Sequence, residues 1–354
     1  MKYILLMVQL LSLVLADIYV SGDARIRPRM DIKNIPPEYK SNDLYYLYRA
    51  RLNIKADIGK EFFLNLKLGT NDISAISKMA DPDENSTNGP GNYNSYRPQV
   101  NFLELYYGFY TEKFGIWAGA FPLKYNPALD IHYYPWQMVD IPWARYNNNT
   151  ITGFAGYNYL LKYKINWILS VDKNNINSEE IGSLATDQKD TYSLGFNTSI
   201  DVGPISITPR FLYTLAGESE NAPMTLGGDI KLLEIAGFTS SLSYYMSSNS
   251  NEGGENYIKK YEANHIRLKL DGKIGPGNLS FFYDIASNTP DGEIQRDYNY
   301  LWLSYEYIVH KSEMGSVTLK PTFRMQNGGY DEGGSYVEDY SRNKIEFTTE
   351  FKFN

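Results

Sequence analysis

The chain has 354 residues, 34 Lys+Arg against 41 Asp+Glu, a formal net charge of −7 and no cysteine, which excludes disulfides and thiolate metal sites. Its three histidines, His132, His265 and His310, are scattered and leave little for a histidine metal centre. After the N-terminus no run of about 18 apolar residues occurs, so no spanning helix is expected, yet a β-barrel shows only alternate residues to lipid and looks hydrophilic on average.

Residues 1–16 read as a secretion signal. Lys2 is the charged start, 4–15 the apolar stretch, and Val14-Leu15-Ala16 a small-residue cleavage site. The remainder, 17–354, reads as one domain without a linker. The 32 tyrosines suit strands and membrane–water interfaces. Strands are expected at 18–29, 44–58, 62–71, 100–110, 114–123, 150–157, 163–171, 191–201, 205–215, 225–233, 238–247, 263–270, 279–286, 298–309, 317–326 and 340–353, sixteen in all.

The clearest stretch is 44–68. Leu44, Tyr46, Tyr48, Ala50, Leu52, Ile54, Ala56 and Ile58 alternate with Arg49, Arg51, Asn53, Lys55 and Asp57. Period two means strand, because successive side chains point to opposite faces. After Gly59-Lys60-Glu61 the pattern resumes with Phe62, Leu64, Leu66 and Leu68 opposed to Asn65 and Lys67. The last strand alternates likewise: Ile345, Phe347, Phe351 and Phe353 against Lys344, Glu346, Glu350 and Lys352. Short connections are expected at 59–61, 111–113, 202–204, 234–237 and 272–278. Long polar ones are expected at 30–43, 72–99, 124–149, 172–190, 216–224, 248–262, 287–297 and 327–339. Tight turns on one side and long loops on the other are the layout of an antiparallel transmembrane β-barrel with an aqueous lumen.

With the apolar parity facing lipid, Arg25, Arg27, Arg29, Arg49, Arg51, Lys55 and Lys67 form a basic ladder on the inner face. Lys231, Arg267, Lys269, Lys320 and Arg324 fall on inner faces of later strands. Such a cluster must meet water, anions or opposed carboxylates, and behind a low-dielectric wall it makes a strong local field. The third long connection differs from the others. From 121 to 146 it is rich in aromatics and proline and carries enough apolar side chains to order itself. It is expected to fold into the lumen. Asp130 and Asp140 would then face the ladder, Tyr133, Tyr134, Trp136 and Trp143 would offer stacking faces to sugars, and His132 and Arg145 would join the constriction, so that anions or sugars are the solutes such a channel is expected to prefer. The acidic stretches 81–85 and 331–334 lack the full ligand spacing of a calcium loop. No Ser/His/Asp arrangement with recognisable spacing appears, so no enzyme activity is expected.

The stretch V-S-G-D-A-R-I-R-P-R, Val20 to Arg29, resembles the opening strand of Gram-negative porins and of the alginate-export-like porin families. Y-R-A-R-L-N-I-K-A, Tyr48 to Ala56, resembles their second strand. W-A-G-A-F-P-L, Trp117 to Leu123, stands where these families often have a G-R-Q-type strand, with Ala120 and Phe121 in place of the common Arg and Gln. The resemblance implies a passive diffusion channel for small hydrophilic solutes and ions in the outer membrane of a diderm bacterium, embedded in outer-membrane lipid and often trimeric. It places an eyelet at Arg25, Arg27, Arg49, Arg51, Asp130 and Asp140. No cofactor, resident metal or nucleic-acid partner is expected. The other reading is a closed outer-membrane barrel acting as a structural protein or adhesin.

Overall fold

A computed structural model describes residues 17–35, 39–70, 77–79, 99–122, 150–173, 191–215, 223–249, 262–289, 295–332 and 335–354. In chain order its strands are β1 (Asp17–Ile35), β2 (Tyr39–Gly59), β3 (Phe62–Thr70), β4 (Ser77–Lys78), β5 (Val100–Tyr110), β6 (Phe114–Pro122), β7 (Thr150–Leu160), β8 (Tyr163–Lys173) and β9 (Thr191–Thr198). There follow β10 (Ile200–Val202), β11 (Ile205–Leu215), β12 (Pro223–Lys231), β13 (Phe238–Asn249), β14 (Glu262–Ile274), β15 (Gly277–Thr289), β16 (Arg296–Ser312), β17 (Gly315–Glu332) and β18 (Ser335–Phe353). Each pairs antiparallel with its neighbour, and β18 returns to β1, which closes the sheet. β10 continues β9 along β11, and β4 is a two-residue addition on β2. Sixteen strands therefore form the wall, as the alternation pattern predicts.

Parity holds around the wall. In β1 the even-numbered Ile26, Met30 and Ile32 are exposed while Asp23, Arg27, Arg29 and Asp31 are buried. The same split separates Ile345, Phe347 and Phe351 from Lys344, Glu346 and Glu350 in β18. A continuous apolar outer surface over charged inner rows is the arrangement a lipid-embedded, water-filled barrel requires. At the β2–β3 hairpin Gly59, Lys60 and Glu61 all take positive φ (84°, 50°, 71°), and a bulge falls between Asp57 and Gly59. The expected parity survives: Ala56, Ile54 and Leu52 pair with Leu64, Leu66 and Leu68.

Two expected loops are corrected. Residues 30–43 and 327–339 are mostly strand, because β1 runs to Ile35, β2 starts at Tyr39, β17 runs to Glu332 and β18 starts at Ser335. These four strands have 19, 21, 18 and 19 residues, so this quarter of the wall is taller than β9, with 8. Their outer ends read as loop because polar residues such as Asn34, Lys40, Ser41 and Asn42 break the apolar alternation. The backbone still pairs Asn34 with Lys40 and Asp31 with Asp43. Asp331 and Glu332, within the acidic stretch 331–334, are the last residues of β17; the stretch 81–85 lies outside the described residues.

The inner wall is not uniformly charged. A buried apolar cluster that includes Phe63, Tyr106, Trp117, Phe121, Ile168, Leu212, Tyr245, Tyr298 and Tyr300 lines the side from β3 to β16. Charged inner rows of the kind expected from the basic ladder therefore describe only part of the lumen. Gly119 and Gly153 pair across β6 and β7 with φ of 122° and 149°. A Cβ on either would lie 2.2 Å from the carbonyl oxygen of Leu105 or Leu169 respectively. Only glycine fits there.

Candidate functional site

The tall quarter of the wall carries the densest chemistry. Closure sets β18 beside β1, with Arg29 across from Glu346, Arg25 from Glu350 and Asp31 from Lys344. Arg29 Nε lies 2.5 Å from Glu346, whose other carboxylate oxygen takes Arg324 at 2.9 Å and Arg27 at 3.7 Å. Glu350 holds Arg25 at 2.6 Å, Arg49 at 3.1 Å and Lys352 at 3.1 Å. Asp23 takes Arg49 at 2.6 Å and Arg51 at 2.7 Å. Asp31 pairs with Arg342 and, at 3.8 Å, with Lys344. Nine cations thus share four carboxylates in three adjoining ion-pair groups, together an arginine network, on β1, β2, β17 and β18. Arg27 also donates from Nε to Thr348 Oγ1 at 2.9 Å. The Arg324 guanidinium lies 3.8 Å from the centroid of the Trp302 ring, a contact that holds the charge flat against the wall.

Magnitudes explain why the array assembles. Inward positions on one strand are roughly 7 Å apart, so two arginines there repel by about 2 kcal/mol at an effective dielectric of about 20. A carboxylate about 4 Å from an arginine attracts it by about 4 kcal/mol on the same scale. One carboxylate between two or three arginines therefore outweighs their mutual repulsion. The network keeps a formal excess of five positive charges.

The expected ladder divides three ways. Arg25, Arg27, Arg29, Arg49 and Arg51 belong to the network. Lys67 instead pairs with Glu104 on β5. Lys55 faces the turn end of the lumen, away from the arginines, beside a cavity of 460 Å³. That cavity is walled by Phe63, Tyr106, Tyr110, Trp117 and Tyr157, with Lys55, Lys164, Asn65 and Asn166 supplying its polar groups. Of the later inner cations, Arg324 joins the network, and Arg267 forms two 2.6 Å hydrogen bonds to Asp284 beside a buried His265. Lys269 pairs with Asp271 and Lys320 with Glu306; Lys231 sits opposite Ser206 and Ser241. The proposed constriction residues Asp130, His132, Tyr133, Tyr134, Trp136, Asp140, Trp143 and Arg145 lie outside the described residues.

The carboxylates that hold the arginines are Asp23 and Asp31 on β1 and Glu346 and Glu350 on β18. Asp23 falls on the expected inner parity of the first strand, whereas the acids expected to oppose the arginines are Asp130 and Asp140 of the third loop, and Glu346 and Glu350 are reached only through the pairing of β18 with β1. The signal was present: once a barrel is inferred, its last strand must lie beside its first, and the inner parity of 344–352 reads Lys-Glu-Thr-Glu-Lys.

No family model and no curated protein matches the sequence. Solved structures do. The anion-selective porin from Comamonas acidovorans aligns with a TM-score of 0.57 at 12% identity, over 96% of this chain and 100% of that one. The outer membrane channel DcaP of Acinetobacter baumannii gives 0.58 at 11% identity, over 96% and 97%. OmpF of Salmonella typhi gives 0.58 at 12% identity, over 95% and 98%. At such identities the likeness is one of fold, and it spans nearly the whole of each chain: this protein has the closed barrel fold of the Gram-negative outer-membrane porins.

Proposed function

We propose that the protein is an outer-membrane porin, a passive diffusion channel for small hydrophilic solutes with a preference for anions. The observation that carries this reading is the inner network of nine cations on four carboxylates, set in a barrel whose outer face is apolar. The staves half-way round, β9 and β11, present Ser193, Gly195, Asn197 and Leu212 inward. Arg210, also on β11, is paired with Asp229. The field across the lumen is therefore set by the arginine wall, and rings of charge of one sign select for the other. That one structural neighbour is described as an anion-selective porin agrees with this. Residues 1–16 would direct export and be removed, leaving one barrel domain from 17 to 354. A homotrimer is proposed because a similar barrel, OmpT of Vibrio cholerae, is described in a trimer form; cross-linking in membranes tests it. The third loop, with Asp130 and Asp140, would narrow the lumen.

Planar-bilayer conductance in a salt gradient tests the channel. Stepwise openings with an anion-selective reversal potential are expected, and a protein that folds into bilayers but never conducts overturns the proposal. That outcome would favour a closed barrel of structural or adhesive role, a reading to which the fully buried inward side chains Phe121, Ile168, Leu212 and Tyr245 lend support.

A further inference from the structure

The cavity at the turn end of the lumen belongs to neither the arginine network nor the expected constriction. We propose that it is a binding site for a small organic anion with one flat ring, an aromatic monocarboxylate. Its lining combines five aromatic rings with two ammonium groups and two amides and includes no carboxylate. Among the described residues neither Lys55 nor Lys164 forms an ion pair. Lys164 Nζ instead sits 3.9 Å from the centroid of the Tyr157 ring, which steadies the ammonium without neutralising it. Such a charge is open to an incoming anion.

The rings make a cup and not a flat track. Phe63 is turned 77° from Tyr106 and 49° from Tyr110, and Trp117 is turned 52° from Tyr157. Rings tilted against one another in this way do not present one flat face. This suits a guest ring in edge-to-face or offset contact, the geometries aromatic pairs prefer. The Tyr157 hydroxyl is tied to the Thr111 carbonyl, so this wall is fixed before a ligand arrives, which lowers the cost of ordering it. A bare carboxylate would find a stronger partner in the guanidinium array, where bidentate contacts are available. A neutral ring would leave the ammonium groups unused. Only a molecule with both parts uses the whole lining.

The proposal rests on the channel reading for its solute class, but binding needs only the folded barrel. It is therefore tested apart from conductance. The full chain, refolded in a non-ionic detergent and checked by heat-modifiable migration, is dialysed against labelled benzoate at neutral pH, with empty micelles as the blank. Saturable binding is expected, with acetate and benzyl alcohol competing at least about tenfold more weakly than unlabelled benzoate. Lys55→Gln with Lys164→Gln should weaken binding about tenfold, and Lys55→Gln alone, at an exposed position that folding does not need, about threefold. The idea fails if the folded barrel binds no benzoate saturably. It fails equally if the three compounds compete alike, or if the folded single variant binds as the parent does. A barrel that binds benzoate without conducting would keep this site and remove the channel.

Discussion

Glu346 is the position where the wall is most exposed to a single substitution. It is 2% accessible and contacts Arg29 at 2.5 Å, Arg324 at 2.9 Å and Arg27 at 3.7 Å. Glu346→Gln keeps the shape and removes the charge. Three attractions of about 4 kcal/mol gross each are lost, against the desolvation cost that the carboxylate no longer bears. Three arginines are then left facing one another. Breaking a buried ion pair by removing one partner costs about 3–5 kcal/mol, and this is the expected loss. Urea titration of the barrel folded in lipid vesicles, followed by heat-modifiable migration, measures it. Glu306→Gln is the internal control: its partner Lys320 is 3.7 Å away and both side chains are about one-third exposed, so the loss should stay below about 1 kcal/mol. If Glu346→Gln also costs less than about 1 kcal/mol, lumen water screens the array and the arginines do not act as a network.

Removing Arg49 and Arg51 together by Ala substitution takes two positive charges from the network and should move the bilayer reversal potential toward cations; an unchanged potential places them off the solute path. Gly119→Ala would set a Cβ 2.2 Å from the Leu105 carbonyl oxygen at φ 122°, and the strain, at least about 1–3 kcal/mol, should reduce the yield of heat-modifiable barrel in a refolding assay. Leu268→Arg, on the outer face at the middle of β14, should cost about 2–4 kcal/mol in vesicle urea titrations. Lys269→Ala, its inward neighbour in a half-exposed pair with Asp271, should cost less than about 1 kcal/mol. Equal effects at 268 and 269 would contradict the assignment of faces.

Much of the fold is legible along the chain because a strand's inside and outside are encoded by period two. Residues 44–58 name their own faces, and the register on both sides pairs the apolar parity of this strand with the apolar parity of its neighbours. Legibility fails where the pattern stops carrying contrast. At the strand ends Lys33, Asn34, Lys40, Ser41 and Asn42 put polar side chains on both parities, so 30–43 and 327–339 read as loop although the described backbone there stays paired. The site is half legible. The arginines stand out as a row on one parity, whereas Glu346 and Glu350 lie about 300 residues away from them and look like the ordinary wet face of the last strand. The cup around Lys55 left no trace, since its aromatics come from β3, β5, β6 and β7 and each looks like a routine strand residue.

The amino-acid sequence by itself determined the strand number, the faces of the clearly alternating strands and the basic character of the first two, because these depend on local alternation. Only the tertiary structure decided which charges meet. Closing the sheet brings β18 to β1, and the register of that one seam sets Glu346 and Glu350 among the arginines. Shifting that register by one residue would turn the carboxylates to lipid. Counter-ion pairing across a lumen is a property of closure, and closure is a relation between the two ends of the chain.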